Sequence, residues 1–459
     1  QALQGVVPGL NFSVNTSGGA LDNSLNVNIR GAGTIGSGSN SSPLVLIDGV
    51  EGNMNAINPQ DIESISVLKD AASASIYGAR AAFGVILINT KSGKSGRTNV
   101  NYSGNVRFTD ALAIPEMLDS YKFAQYFNEA AKNSGQGAVF SETQMQRILA
   151  YQKGEITDGA TINTTNNRWN NYTGANANTD WFKEMYKDWV PSHEHNLSVS
   201  GGNEKVTYLV SGNFLDQNGL IAHGKDKFNR YTLNGKINAT LSDYVKLNYS
   251  SKWIREDYKR PSYMTGLFFH NIARRWPTNP VYDPNGYYME GNEIIQMEDG
   301  GIQKNQKDYA YQQLQLVIEP IKDWKIYAEG NLNTITNFQH WEVLPVYAHD
   351  VNGDQYAFSW DGRAVGSTTV NEYGYKENFM TTNIYSDYFK QFDNGHFIKV
   401  MGGFNAEVMK TRSLSAQGDG LITPSVPTVN TTTTNPSVGG GYAHWSTAGF
   451  FGRLNYNYK

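Results

Sequence analysis

The stretch TNVNYSGNVRF, residues 98–108, alternates strictly between two kinds of side chain. The residues at odd positions are asparagine, serine and arginine, whereas most of those at even positions are apolar. Because successive side chains of a β-strand point to opposite faces, this period of two predicts a strand with one apolar and one polar face. The apolar face consists of Val100, Tyr102, Gly104, Val106 and Phe108.

Nine further segments repeat this alternation. The ten predicted strands cover residues 98–108, 195–203, 205–215, 229–241, 244–255, 308–319, 323–334, 376–391, 395–409 and 446–459. Short turns alternate with long connections, which lie at residues 109–194, 216–228, 256–307, 335–375 and 410–445. This arrangement is typical of an up-and-down transmembrane β-barrel. A soluble β-sandwich or propeller also alternates, but aromatic residues near strand ends and the asparagine-rich polar face favour the membrane barrel.

Residues 1–96 follow a different pattern. Short apolar strands at residues 42–47, 64–68 and 84–90 are mixed with glycine-rich turns, which predicts a small α+β unit. Asn58, followed by proline, is expected to cap a helical turn. Ten strands cannot close around a domain of this size, because a plugged lumen requires about 22 strands. Either other chains close the barrel or roughly half of it lies beyond this sequence, and we favour the second.

The composition excludes several classes of protein. The chain has 38 basic and 42 acidic residues, a net charge of −4, so nothing predicts nucleic-acid binding. It contains no cysteine, which rules out disulfides, thiolate metal sites and thiol nucleophiles. The longest apolar runs, residues 43–47 and 84–88, are far shorter than the roughly 20 residues of a membrane-spanning helix.

Several short motifs resemble chemical sites but are incomplete. Residues 31–36 match the dinucleotide-binding pattern GxGxxG, yet no phosphate-binding helix can start in the serine- and glycine-rich stretch that follows. Ser66 and Lys69 match a serine acyl-transferase pattern, but they lie on a predicted strand and its partner motifs are missing. His193 and His195 share one strand face without a third metal ligand.

Residues 350–354 resemble the start of a calcium-binding loop, but Gln355 stands where that loop requires glycine. The carboxylates of the chain are scattered, and nothing selects two of them as an acid and base pair. The sequence therefore predicts no catalytic residue, no cofactor and no metal site.

The connections at residues 256–307 and 335–375 are rich in aromatic residues beside asparagine, glutamine and aspartate. Such loops suit ligands with flat apolar faces and many hydroxyl or amide groups. An equal alternative is that these aromatic residues pack the loops against themselves. The candidate substrate or partner contacts are Tyr258, Tyr263, Phe268, Phe269, His270, Trp276, Trp341 and Trp360.

Three ordered blocks resemble one protein family. The first is VNIRG at residues 27–31, and the second is SPLVLIDGV at residues 42–50. The third, at residues 57–91, reads INPQDIESISVLKDAASASIYGARAAFGVILINTK. Together they resemble the plug domain of TonB-dependent outer-membrane transporters, and the sequence KDAA at residues 69–72 is the variant of the SusC/RagA type.

The resemblance implies a plug domain at residues 1–96, lodged in the lumen of a transmembrane antiparallel β-barrel whose N-terminal part is residues 97–459. The fold class is then mainly β with an α+β plug, and about ten of 22 strands are represented here. Plug–barrel polar contacts are expected from Arg30, Asp48, Glu63, Lys69 and Arg80, with mere solvation of the plug loops as the alternative. Plug turns are expected at Gly31, Gly49, Gly78 and Gly84.

The resemblance also implies a function that is not enzymatic, namely active import of oligosaccharides across the outer membrane of a Gram-negative bacterium. The expected partners are a SusD-like surface lipoprotein, the TonB–ExbB–ExbD energising complex, outer-membrane lipid and the substrate. An oligopeptide importer of the same family is the first alternative. A siderophore-type receptor, which the variant at residues 69–72 disfavours, and a passive or structural surface barrel are the others.

Overall fold

The computed structural model describes residues 10–14, 21, 25–29, 42–69, 83–359 and 362–458, and every structural statement below refers to these residues. The part before residue 96, called the N-terminal unit, contains two small sheets. One is the antiparallel pair of β1 (Leu10–Val14) and β2 (Leu25–Ile29). The other has the strand order β4-β3-β6-β5 and consists of β3 (Leu44–Ile47), β4 (Val50–Glu51), β5 (Ile62–Leu68) and β6 (Val85–Thr90).

Branched aliphatic side chains hold the four-stranded sheet together. Ile86 and Ile88 of β6 are fully buried and pack with Ile57. A 3-10 helix, Pro59–Asp61, leads into β5, and the side chain of Asn58 accepts a hydrogen bond from the backbone N–H of Gln60. The predicted capped turn is confirmed, because asparagine satisfies an N–H that has no partner inside the helix.

The remaining residues build a ten-stranded antiparallel sheet, called the wall, and two short hairpins. Their strands are β7 (Gly96–Thr109), β8 (Ile162–Asn163), β9 (Arg168–Trp169), β10 (Val190–Gly202), β11 (Val206–Asn218), β12 (Lys227–Ser242), β13 (Val245–Pro261), β14 (Ile302–Ile321), β15 (Trp324–Val343), β16 (Val346–His349), β17 (Gln355–Phe358), β18 (Thr369–Gln391), β19 (His396–Leu421) and β20 (Thr432–Tyr458). The wall has the order β20-β19-β18-β15-β14-β13-β12-β11-β10-β7, in which each strand pairs with its predecessor in the wall. All ten predicted strands are therefore present.

Several strands continue well beyond their predicted ends. The prediction of a long loop at residues 410–445 is wrong. Strands β19 and β20 stay paired as far as Leu421 and Thr432, and only residues 422–431 connect them. A membrane-spanning strand needs only about 9–11 residues, whereas β20 has 27. Outside a membrane both faces of a strand can be polar. The alternation of apolar and polar residues that marks the strand ends near the tight turns therefore fades toward the opposite ends.

The two faces of the wall differ in what they contact. On β12 the inward side chains of Thr232, Asn234 and Lys236 are buried, and this face meets the N-terminal unit. The outward side chains of Leu233 and Ile237 are exposed. The register places outward residues of neighbouring strands opposite one another, so the apolar positions form a continuous outer surface.

Two long connections fold into a compact layer at the rim opposite the tight turns. Their helices are α1 (Ser120–Asn133), α2 (Glu142–Gln152), α3 (Trp181–Met185), α4 (Gly266–Arg274) and α5 (Ile294–Asp299). Asp119 and Ser141 cap α1 and α2 through their side-chain oxygens. No helix in the described part of the chain has the length and apolarity needed to cross a membrane.

Candidate functional site

The N-terminal unit is joined to the wall by an ion pair at the turn between β3 and β4. Asp48 begins that turn with a φ of 52°, followed by Gly49 with a φ of 88°. The ammonium of Lys236, on the inward face of β12, lies 3.0 Å from Asp48 Oδ1 and donates a hydrogen bond to the carbonyl of Thr90 at 3.0 Å. Thr90 also donates its backbone N–H and its hydroxyl to the Asp48 carboxylate, at 2.8 and 2.7 Å. The carboxylate thus links β3, β6 and the wall.

A second carboxylate of the N-terminal unit lies in the same interface. Asp61, at the end of the 3-10 helix, accepts a hydrogen bond from the hydroxyl of Ser211 on β11 at 2.9 Å. Burial raises the pKa of Asp61, and the Ser211 hydrogen bond and the nearby charges of Lys252 and Lys236 oppose that rise. Lys252, on β13, is itself buried. Two wall lysines therefore face two carboxylates of the N-terminal unit.

Wall side chains also bind backbone carbonyls of the N-terminal unit. Arg230 donates to the carbonyl of Asn55 at 3.2 Å, Gln313 to that of Asp48 at 2.9 Å, and Asn333 to that of Glu51 at 3.0 Å. These donors come from three different strands, β12, β14 and β15. A carbonyl accepts such a bond whatever side chain its residue carries, so these contacts depend on the position of the backbone.

Apolar contact between the two parts is limited. Ala56 packs with Ile254 of β13 and Tyr309 of β14 in one small buried cluster. A cavity lies beside it, lined by residues of both parts such as Ile57 and Lys252. The interface is therefore mainly polar, with a thin apolar seam.

The other predicted plug–barrel contacts have different surroundings. Glu63 is exposed on β5, and Lys69 is half-buried just beyond that strand. Arg30 and Arg80, with the predicted turn residues Gly31 and Gly78, lie outside the described residues. Gly84 has a φ of 94°, and a Cβ there would approach Ile29 Cδ1 to 2.8 Å, so the turn requires glycine for both conformation and space.

The candidate aromatic contacts are mostly part of a loop core. Phe268 is fully buried, and Tyr263 is 5% exposed. Phe269 and Trp341 pack on the same cluster, which includes Met264, Ile294 and Val346. Tyr258 is buried on β13 and Trp341 lies on β15, so neither belongs to a loop. For these residues the structure favours the second alternative, in which the aromatic side chains are packed and not exposed to a ligand.

Trp276 packs in a second cluster, against Phe123, Phe127 and Phe140. His270 is exposed and bonded to Arg274 within α4, and Trp360 lies outside the described residues. Long connections bury apolar side chains because each buried side chain contributes roughly 1.5–3 kcal/mol. Among the described residues of the connections at residues 256–307 and 335–375, the exposed aromatic side chains include Tyr282, Tyr287 and Tyr347.

Two of the incomplete motifs, His193 with His195 and residues 350–354, resemble metal sites. No group of three or more histidine, aspartate or glutamate side chains that could hold a metal ion is present among the described residues. His195 is bonded through Nδ1 to the hydroxyl of Tyr102 at 2.7 Å, on the outward face of the wall. Asp350 Oδ1 accepts the backbone N–H groups of Asn352 and Asp354, so it stabilises its own turn.

Sequence patterns gave no means of finding Asp61, Lys236, Lys252 and Gln313. Each wall residue among them occupies a polar position of an alternating strand, which predicts its inward direction but not its partner. The partners are separated by 146 residues in the case of Lys236 and Thr90, and only the folded register brings them together.

Comparisons with known proteins agree with this architecture. A family model described as the TonB-dependent receptor plug domain matches residues 1–85. TonB-dependent receptor P26 of Formosa agariphila is 26% identical over 487 residues, which cover 100% of this chain and 43% of the relative. TonB-dependent receptor SusC of Bacteroides thetaiotaomicron is 25% identical over 494 residues, which cover 99% of this chain and 43% of SusC. Over its whole length this chain is similar to TonB-dependent receptors of the SusC type.

The fold of this chain is also similar to a solved structure. In the RagAB peptide importer in its closed-closed state, the matched chain has a TM-score of 0.78 and 21% sequence identity, with 100% of this chain and 51% of that chain covered. The chain thus spans less than half the length of these curated relatives and about half of the RagAB chain. SusC/RagA-type receptors are outer-membrane β-barrel proteins, and from here on the N-terminal unit is called the plug.

Proposed function

We propose that the protein to which this chain belongs imports oligosaccharides across the outer membrane by TonB-driven displacement of the plug. The observation that carries the proposal is the polar seal between plug and wall, built around the Lys236–Asp48 ion pair. The plug is residues 1–96 and the barrel wall begins at residue 97. The function is transport and not catalysis, with a SusD-like lipoprotein to capture substrate and the TonB–ExbB–ExbD complex to supply energy.

The strength of the seal supports an energised mechanism. Seven direct bonds join plug and wall among the described residues. Four involve Asp48, Thr90 and Asp61, two involve the carbonyls of Asn55 and Glu51, and one runs from the Asn53 amide to the hydroxyl of Tyr309. At about 1 kcal/mol each, they contribute on the order of 7 kcal/mol, well above thermal energy. Water can replace each partner as the plug moves, because the groups are polar. Such an interface stays closed at rest and opens under an external pull.

Aromatic residues support a sugar substrate. Tyr287 stacks on His349 with ring centroids 3.7 Å apart, and Tyr282 stacks on Tyr288 at 5.0 Å. Tyr282 and Tyr287 are exposed in the loop layer, where flat ring faces suit sugar rings. An oligopeptide is the alternative substrate, since the fold is similar to that of a peptide importer.

The test is uptake of labelled oligosaccharides and oligopeptides by cells with and without the full-length protein, before and after the proton gradient is collapsed. We expect gradient-dependent uptake of oligosaccharide only when the protein is present. Gradient-dependent uptake of peptide would identify peptide, and not oligosaccharide, as the substrate. Uptake that does not depend on the gradient would contradict energised import.

A cross-link tests whether the plug must move. This chain has no cysteine, so Asp61→Cys with Ser211→Cys introduces one unique pair across the interface, closed by oxidation to a disulfide or by a short bis-maleimide that forms a thioether with each thiol. We expect the closed cross-link to abolish uptake and, for the oxidised form, a reductant to restore it. Each single-cysteine variant is the control, and uptake through a fully cross-linked protein would contradict plug displacement.

A further inference from the structure

Three lysines face one another directly on the outer surface of the wall. Lys227 of β12 pairs with Lys259 of β13, which pairs with Lys304 of β14. All three side chains lie on the outward face of the wall, the same face as the exposed Leu233. Lys225, just before β12, adds a fourth charge near Lys259. Like charges directly opposite on adjacent strands repel, so this row lowers stability unless an anion lies between them.

The carboxylates near this row are engaged mainly by other partners. Lys227 is paired with Asp216 at 2.7 Å. Among the ion pairs of the described residues, none involves Lys225, Lys259 or Lys304. Glu342 lies near Lys259, but its carboxylate is bonded to His340 at 2.8 Å and to the backbone N–H of Ile302 at 3.1 Å.

Other acidic groups of the outer face are also engaged or set lower on the wall. Asp308 is held by Arg255 through two contacts of 2.8 Å. Asp257 lies two residues below Lys259, between Arg255 and Asp308. Glu372, which the register places beyond His340 in the same row, is bonded to His340 at 2.6 Å. Among the described residues, Lys259 and Lys304 are thus the members of the row that form no ion pair.

An apolar groove lies directly below this charged surface. Its lining includes the outward side chains of Tyr102, Leu197, Phe214, Tyr231, Leu233 and Trp253. Gly212 leaves its floor open, since a Cβ at that position would meet only a side-chain atom of Leu233 at 3.6 Å. Along β13 the order upward is Trp253, Arg255, Asp257 and Lys259, so groove and charges follow one line.

The spacing selects the kind of occupant. From Trp253 to Lys259 is six residues, about 20 Å along a strand and about 15 Å along the membrane normal at a tilt of roughly 40°. Interfacial aromatic residues mark the edge of the hydrocarbon, and the headgroup layer beyond it is only about 5–7 Å thick. A phospholipid phosphate therefore falls near Arg255, well below the lysines. A phosphate at the height of Lys259 must be carried on an extended saccharide headgroup.

We propose that an outer-leaflet glycolipid that carries phosphate on its saccharide binds this outer surface, with an acyl chain in the groove over Gly212 and phosphate on the lysine row. The inference rests on the proposed outer-membrane location of the wall. It does not depend on transport, because the site lies on the face opposite the plug.

The test uses the full-length protein in phosphatidylcholine nanodiscs, titrated with three probes: a phosphorylated rough-type lipopolysaccharide, the same glycolipid after phosphatase treatment, and phosphatidylglycerol. We expect the phosphorylated glycolipid to bind most tightly. Lys259→Gln with Lys304→Gln should weaken it about 30-fold, since each surface lysine is worth about 1 kcal/mol, a factor of about five. Gly212→Leu should weaken all forms of the glycolipid by filling the groove.

Two matched controls separate this site from general effects. Lys132→Gln with Lys153→Gln removes the same charge from exposed loop helix positions and should leave binding unchanged. In phosphatidylcholine nanodiscs without the glycolipid, the variant with both Lys259→Gln and Lys304→Gln should be at least as resistant to urea as the parent, because the repulsion between the lysines is removed. Equal binding of the phosphorylated and dephosphorylated glycolipid, or equal binding by the lysine variant, would overturn the proposal. Tightest binding of phosphatidylglycerol would overturn it too, and uptake measured in parallel would show whether transport fails separately.

Discussion

Strand β12 meets two different surroundings on its two faces. Lys236 and Asn234 point inward and are buried against the plug, whereas Leu233 and Ile237 point outward and are 58% and 47% exposed. The inner face depends on individual partners at 3.0 Å, and each of its contacts can be lost by one substitution. The outer face depends on apolarity alone. Adjacent residues of one strand should therefore respond to opposite kinds of substitution.

The largest effect is expected on the inner face, from Lys236→Met. The variant leaves the Asp48 carboxylate in the interface without its ammonium, and removal of one partner of a buried pair costs about 3–5 kcal/mol. We expect the plug to become accessible to protease in the purified protein and large antibiotics to enter cells faster. Lys246→Met, which changes an exposed inward lysine of β13, is the matched control. Equal protease sensitivity of the two variants would show that the ion pair does not hold the plug.

On the outer face, Ile237→Arg is expected to cost about 2–4 kcal/mol, the cost of arginine on the lipid face near the middle of the membrane. The adjacent inward change, Asn238→Arg, should cost far less, since its side chain faces the polar lumen. Urea unfolding of both variants in lipid vesicles measures the difference. If both lose the same stability, the assignment of the two faces fails.

A smaller effect is expected for single hydrogen bonds. Gln313→Leu removes the bond to the carbonyl of Asp48 and should weaken plug seating by about 1 kcal/mol. Gln312→Leu changes the neighbouring outward residue, which bonds only to Tyr249 and Ser251 of the same face. Protease protection of the plug in urea should therefore distinguish the two variants. An effect of Gln312→Leu on this protection would contradict the assignment of Gln312 to the outward face and of Gln313 to the plug contact.

The smallest effect concerns pH. Burial raises the pKa of Asp61, so the seated plug binds a proton more readily than the displaced plug does. Plug seating should therefore be strongest at low pH and weaken as the pH rises through the raised pKa of Asp61. Protease protection between pH 4 and pH 8 measures this trend. Asp61→Asn should flatten it, and an unchanged pH profile would assign the trend to other groups.

The sequence allowed prediction of what depends on local pattern. Alternation located all ten wall strands, and Asn58 identified the capped turn before β5. The upper halves of β19 and β20 were missed, because Thr432–Tyr458 begins with threonine, asparagine and proline, which alternate in no useful way. A strand that is paired above the membrane is held by backbone hydrogen bonds, and these leave no mark on side-chain type.

The candidate site depended on long-range register and was predicted only in part. Asp48 was singled out, but Lys236 and Lys252 were not, since a lysine on a polar face is compatible with solvent or with a partner. Phe268 shows a second limit. The sequence left open whether an aromatic residue in this long loop is exposed or packed, and the loop folds into a core that buries it.

The junction between β6 and β7 limits how the lumen can be opened. Only residues 91–95 separate Thr90 from Gly96, a tether of about 18 Å even when fully extended. Within it, Gly93 lies so close to β11 that a Cβ would come within 2.2 Å of the carbonyl oxygen of Tyr208. The wall strands are 13 to 27 residues long, about 43–90 Å. A pull on the plug therefore cannot eject it as a rigid body, and the mechanical work must go into partial unravelling between the point of traction and this anchored end.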